Sequence, residues 1–122
     1  MRKITLLLNA CIVMTLASCV TTTEEQRIVS EQHFRDVVVE KKLSNTRVDV
    51  TLKLTQDGLI EGTEPSGEIK GTWLWDGTRF CRDVTTGPLK GKTCQVVTLK
   101  DTKVSVKDVE GKIRTATYRI SE

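Results

Sequence analysis

Apolar residues fall at three spacings along this chain, and each spacing predicts a different kind of segment. Ile4 to Leu16 is almost continuously apolar, broken by Thr5, Asn9 and Thr15. Between Ser30 and Val38, the positions Phe34, Val37 and Val38 recur at intervals of three and four. From Thr46 onward the interval is two, and Val48, Val50, Leu52 and Leu54 alternate with Arg47, Asp49, Thr51 and Lys53. A short unbroken run after a basic start reads as an export signal. Intervals of three and four put side chains on one helix face, and an interval of two marks a half-buried strand.

The first run follows Met1-Arg2-Lys3 and leads into the small residues Ala17 and Ser18. It has the length of a signal-peptide core and is too short to cross a bilayer. Residues 1–18 are therefore expected to be a signal peptide. Residues 19–29 include Thr21-Thr22-Thr23-Glu24-Glu25-Gln26, which is polar and without periodicity, and they read as a tether. Ser30 suits the N-cap of a short helix reaching about Val38.

Beyond that helix the chain alternates between strand and turn signals. Gln56-Asp57-Gly58, Glu64-Pro65-Ser66-Gly67, Asp76-Gly77, Lys100-Asp101 and Glu110-Gly111 are the turns, and Gly87 to Gly91 is a loop. They separate a first strand from Thr46, then Leu59 to Gly62, Glu68 to Trp75, Thr78 to Val84, Cys94 to Leu99, Val104 to Val106 and Ile113 to Ile120. No crossover helix lies between strands, so the sheet should be antiparallel. The expected fold is all-β with one short N-terminal helix. Its β part is a small antiparallel meander of six to seven strands, closed into a barrel or folded as a sandwich, over residues 30–122.

Composition narrows the function classes. With 122 residues the chain has room for one domain. Its net charge of +3 is small and evenly spread, so no nucleic-acid partner is expected. His33 is the one histidine and reads as a helix residue, without a second histidine for a common metal site. No phosphate loop, dinucleotide fingerprint or Gly-x-Ser-x-Gly elbow occurs, and neither an enzyme nor a cofactor is expected.

Four cysteines remain to be placed. Cys11 lies in the signal core and is discarded with it. Cys81 and Cys94 stand on consecutive expected strands of an exported domain, where pairing as a disulfide is favoured over a reactive or metal-binding thiol pair. Trp73, Trp75, Phe80 and Arg82 gather around the Asp76-Gly77 turn. Trp73, Trp75 and Arg82 are the candidate ligand or partner surface, through stacking and cation–π contact. Against this stands a core role for the tryptophans, because aromatic residues make up only 4% of the chain. Ile69, Gly71, Trp73 and Trp75 share one strand face, as a core-facing strand requires.

Leu16-Ala17-Ser18-Cys19 resembles the lipobox of bacterial lipoproteins. The resemblance implies that Cys19 carries a diacylglycerol and becomes the first residue after cleavage. The lipid bilayer is then a partner through acylated Cys19. Val20, where inner-membrane lipoproteins of enterobacteria carry aspartate, resembles the outer-membrane class and implies a lipid-anchored protein facing the periplasm. The pattern Gly71-Thr72-Trp73-Leu74-Trp75-Asp76-Gly77, Phe80-Cys81-Arg82, Cys94-Gln95-Val96 and Gly111…Tyr118 is similar to a group of small exported alphaproteobacterial β proteins. Some of that group carry the label dihydrodipicolinate reductase, which is not transferred because this chain has no dinucleotide-binding fingerprint. A second similarity is to small periplasmic β-barrel protease inhibitors, which share one disulfide after a Gly-x-Trp strand. The resulting expectation is an envelope lipoprotein with a non-enzymatic binding or structural role, in contact with another envelope protein. The alternative is a protease inhibitor or another protein-binding module.

Overall fold

The computed structural model describes residues 24–109 and 114–122. The signal peptide, Cys11, Cys19, Val20, the first part of the tether, the Glu110-Gly111 turn and the Ile113 strand start lie outside the described residues. The elements in chain order are β1 (Gln26–Ile28), α1 (Glu31–Val37), β2 (Lys42–Asn45), β3 (Thr51–Leu54), β4 (Leu59–Glu64), β5 (Gly67–Asp76), β6 (Arg79–Val84), β7 (Gly91–Lys100), β8 (Lys103–Asp108) and β9 (Thr115–Ser121). No helix among the described residues is long and apolar enough to cross a membrane.

Strands β2 to β9 form an antiparallel meander, each paired with the next, and β2 pairs with β9 to close a barrel. The barrel thus has eight strands, more than the six to seven expected, with β1 as an additional strand beside it. Closure leaves no free edge inside the meander. β1 pairs with the second half of β7, at Ile28↔Val97, while β6 pairs with the first half.

Two local features account for the difference in strand count. The alternation Val48, Val50, Leu52, Leu54 reads as one strand, yet Val48 is 58% exposed and lies within the turn that the Asn45 N–H closes on the Val50 carbonyl. The Asn45 side chain accepts hydrogen bonds from the backbone N–H groups of Arg47 and Val48, at 2.9 and 3.1 Å. That is an Asx turn. It ends β2, a strand N-terminal to the run that the sequence pattern did not predict, and delays the expected strand to β3; the two pair at Leu43↔Leu52. The second feature is β1, in residues read as tether, where Ile28 is completely buried. One inward apolar residue in a polar stretch leaves no periodicity to detect.

Helix α1 starts where the sequence indicates. The Ser30 hydroxyl accepts from His33 N–H at 3.2 Å, and Phe34 and Val38 turn inward to the core. The strands contribute alternate residues to that core, Leu52 and Leu54 from β3, Ile69 and Trp73 from β5, and Phe80 and Val84 from β6. Gly62 and Gly71 mark close approaches of neighbouring strands. A Cβ at Gly71 would sit 2.5 Å from the Asp83 carbonyl oxygen, and one at Gly62 would sit 2.5 Å from that of Thr51. Lacking a side chain, both let the sheet curve tightly into a barrel.

Candidate functional site

The residues expected to form one surface are divided between the two ends of the barrel. Trp73 and Arg82 face each other in the β5–β6 register, but their side chains reach in opposite directions. Trp73 donates its indole N–H to the Thr55 carbonyl at 3.0 Å, in the β3–β4 turn. Arg82 donates to the Leu89 carbonyl at 2.6 Å, in the loop between β6 and β7.

The Trp73 end is capped by α1. The Phe34 ring lies 5.5 Å from Trp73, 5.0 Å from Trp75 and 5.3 Å from Phe80, as tilted and edge-on contacts. The Arg35 guanidinium sits over Trp73 at 4.9 Å and also donates to the Gln56 carbonyl. Trp73 is buried, whereas Trp75 is half-buried and donates its N–H to the Gly77 carbonyl at 2.7 Å. The tryptophan face is therefore mostly core, Trp73 more than Trp75.

The Arg82 end is a mouth. Alternation along β6 and β7 turns Phe80, Arg82 and Val84, and Gln95 and Val97, toward the interior. Gln95 is 4% exposed. Its amide N–H donates to Asp108 Oδ1 at 2.7 Å, while its Oε1 has no hydrogen-bond partner. Turning the amide over would set its oxygen against the Asp108 carboxylate, so the unpartnered atom is the acceptor. Arg82 is half-buried and belongs to none of the ion pairs among the described residues. A guanidinium has five N–H donors, and one accepting partner is seen. Burial raises the Tyr118 phenol above its ordinary range, and the Asn45 side chain and the Arg82 charge oppose that shift.

Two cavities meet at Arg82 and Gln95. The inner one, between Phe34, Leu52, Ile60, Val104 and Tyr118, has a volume of about 40 Å³. It has room for a few waters and none for a larger ligand. The outer one is a pit of about 220 Å³ between Arg82, Leu89, Gln95, Asp108, Arg114 and Ala116. No family model, curated protein or solved structure matches the chain.

On the outer face of the same two strands, Cys81 and Cys94 are register partners joined by a disulfide, with S–S 2.02 Å and Cα atoms 4.0 Å apart. The bridge ties together the strands that carry Arg82 and Gln95. Among the described residues, no three His, Cys, Asp or Glu side chains gather to hold a metal ion. Sequence reasoning singled out Arg82 but missed Gln95, Asp108 and Tyr118. The signal for Gln95 was its parity, because a polar residue in step with Val97 belongs to the inner face.

Proposed function

We propose that this protein is an envelope lipoprotein, anchored in the outer membrane through Cys19 and facing the periplasm, whose barrel has a non-enzymatic binding role. The observation that carries the binding role is the contrast between a filled interior and a mouth with unsatisfied polar groups. A barrel with about 40 Å³ of inner space does not carry a small molecule inside. Its chemistry is concentrated at one end, where Arg82 and Gln95 are short of partners. The anchor rests on the lipobox string Leu16-Ala17-Ser18-Cys19. Two or three acyl chains, at about 0.8 kcal/mol per buried methylene, would hold the protein on a membrane without an apolar protein patch.

Two experiments test this reading. Metabolic labelling with palmitate should tag the native protein, and Cys19→Ser should abolish the label and the partition into detergent. Labelling that persists in Cys19→Ser overturns the anchor. In-cell crosslinking from the mouth, at Lys90, should capture one defined envelope partner.

A second reading, as a protease inhibitor, is supported by the same filled interior, since a barrel without an inner ligand must act through its surface. Inhibition of a protease from a periplasmic and host panel at stoichiometric concentration would favour it over the first.

A further inference from the structure

The mouth contains two unmet demands a few residues apart on adjacent strands. Arg82 has a half-buried charge with one carbonyl partner, and Gln95 has a buried acceptor with none. The first calls for an anionic acceptor and the second for a hydrogen-bond donor. Lys90 and Arg114 add positive charge around the pit, and Asp108 adds one carboxylate beside Gln95. That arrangement favours a monoanion carrying its own donor. A dianion such as phosphate would set its second charge against Asp108.

We propose that the pit binds a carboxylate with an N–H group next to it, the chemistry of a polypeptide's C-terminal residue or of a free amino acid. The carboxylate pairs with Arg82, supported by Arg114, and the N–H donates to Gln95 Oε1. A bidentate guanidinium–carboxylate contact is planar and directional, which suits a side chain already fixed by the Leu89 carbonyl. The pit volume of about 220 Å³ admits one residue-sized group and is below the range of drug-sized pockets. Apolar contact with the ligand's side chain comes from Leu89 and Ala116. This assignment rests on the binding role proposed above and specifies the chemistry it recognises.

The test uses the full-length protein as cells make it, isotopically labelled and purified in detergent micelles. N-acetylalanine, alanine, N-acetylalanine methylamide and acetate are titrated while the Arg82 Nε–H and Gln95 side-chain amide resonances are followed. N-acetylalanine should shift both resonances and saturate. The methylamide, which has no carboxylate, should shift neither. Acetate, which has no N–H, should bind about tenfold more weakly. Alanine binding as well as N-acetylalanine identifies free amino acids as the source, and weaker binding identifies a polypeptide end. Arg82→Gln should weaken N-acetylalanine at least about tenfold, and Arg114→Gln should do so less. Equal shifts from the acid and its methylamide overturn the proposal, as does unchanged affinity in a folded Arg82→Gln protein. If Arg82→Gln does not fold, the ligand series on the unmodified protein decides alone. A crosslinked partner at the mouth together with silence toward N-acetylalanine overturns this proposal and leaves the binding role standing.

Discussion

At one end of the barrel, Phe34, Trp73, Trp75 and Phe80 stack their rings under a helix, and the two indole N–H groups each find a carbonyl. At the other end, Arg82, Gln95, Asp108 and Tyr118 line a mouth where a charge and an acceptor lack full partners. The strands are the same. At the capped end polar atoms are satisfied and apolar area is buried, which is how a fold stabilises itself. At the mouth the pattern is reversed, and unsatisfied buried groups there cost stability on the order of 1–3 kcal/mol each. Satisfied and unsatisfied polar groups are thus separated along the barrel axis.

The largest expected effects fall at the capped end. Phe34→Ala and Trp73→Ala should each cost about 3–5 kcal/mol, because each leaves a cavity among rings that cannot collapse onto a helix cap. For Trp73 the Thr55 carbonyl also loses its donor. A domain of this size should lose well over ten degrees of melting temperature, at about 4–8 °C per kcal/mol. Arg82→Met, by contrast, should change stability by less than about 1 kcal/mol, because it removes a charge that has no counter-charge in the fold. Thermal unfolding of the three variants side by side checks the comparison. An Arg82→Met loss as large as that of Trp73→Ala would make the mouth a structural element.

Next in size is the bridge across β6 and β7. Replacing Cys81 and Cys94 with alanine opens a link between residues 13 apart in sequence. The expected loss is about 3 kcal/mol by chain-entropy arithmetic, within the 2–5 kcal/mol usual for small exported domains. Urea unfolding with and without reductant measures it. The bridge spans the strands of the mouth, so the double variant should also broaden the Gln95 side-chain resonance and leave that of Trp73 sharp. Equal broadening at both ends would show that the bridge supports the whole barrel. A smaller effect, about 1–3 kcal/mol, is expected from Gly71→Ala, where the added methyl meets the Asp83 carbonyl oxygen at 2.5 Å.

The capped end was more legible in the sequence than the mouth, for a physical reason. Apolar side chains write a period, and Ser30, Phe34, Val38 and the β5 face Ile69, Gly71, Trp73, Trp75 stand where the period puts them. The hairpin turn at Asn45 is encoded by one side chain capturing two backbone N–H groups, while Val48 and Val50 just after it extend the alternation of β3 back into the turn. The mouth depends on single polar side chains whose partners follow no period. Arg82 meets the Leu89 carbonyl through a loop, and Gln95 meets Asp108 across a β7–β8 pair. Barrel closure also rests on β2 meeting β9, for which neither strand alone carries a signal.

The smallest expected effects are two titrations, and they sharpen the comparison because the ends respond on opposite sides of neutrality. Near the capped end, the backbone N–H of Gln56 and then the Lys53 ammonium hold the Glu40 carboxyl below its ordinary value of 4.5. A lowered carboxyl stabilises the fold above that ordinary value, and the contribution fades as pH falls through the folded value. Glu40→Gln should therefore flatten the acid limb of the stability profile slightly and leave the alkaline limb unchanged. At the mouth, burial holds the Tyr118 phenol above its ordinary 10.0. A raised phenol contributes stability that is complete below 10.0 and is lost as pH climbs through the folded value. The chain has one tyrosine, so phenolate absorbance reports Tyr118 alone. The Arg82 charge pulls the phenol down against burial. Arg82→Met should therefore move the absorbance midpoint further up, while Glu40→Gln leaves it in place. A midpoint that ignores Arg82→Met would separate Tyr118 electrically from the mouth, and the proposed binding would then rest on Arg82 and Gln95 without the phenol.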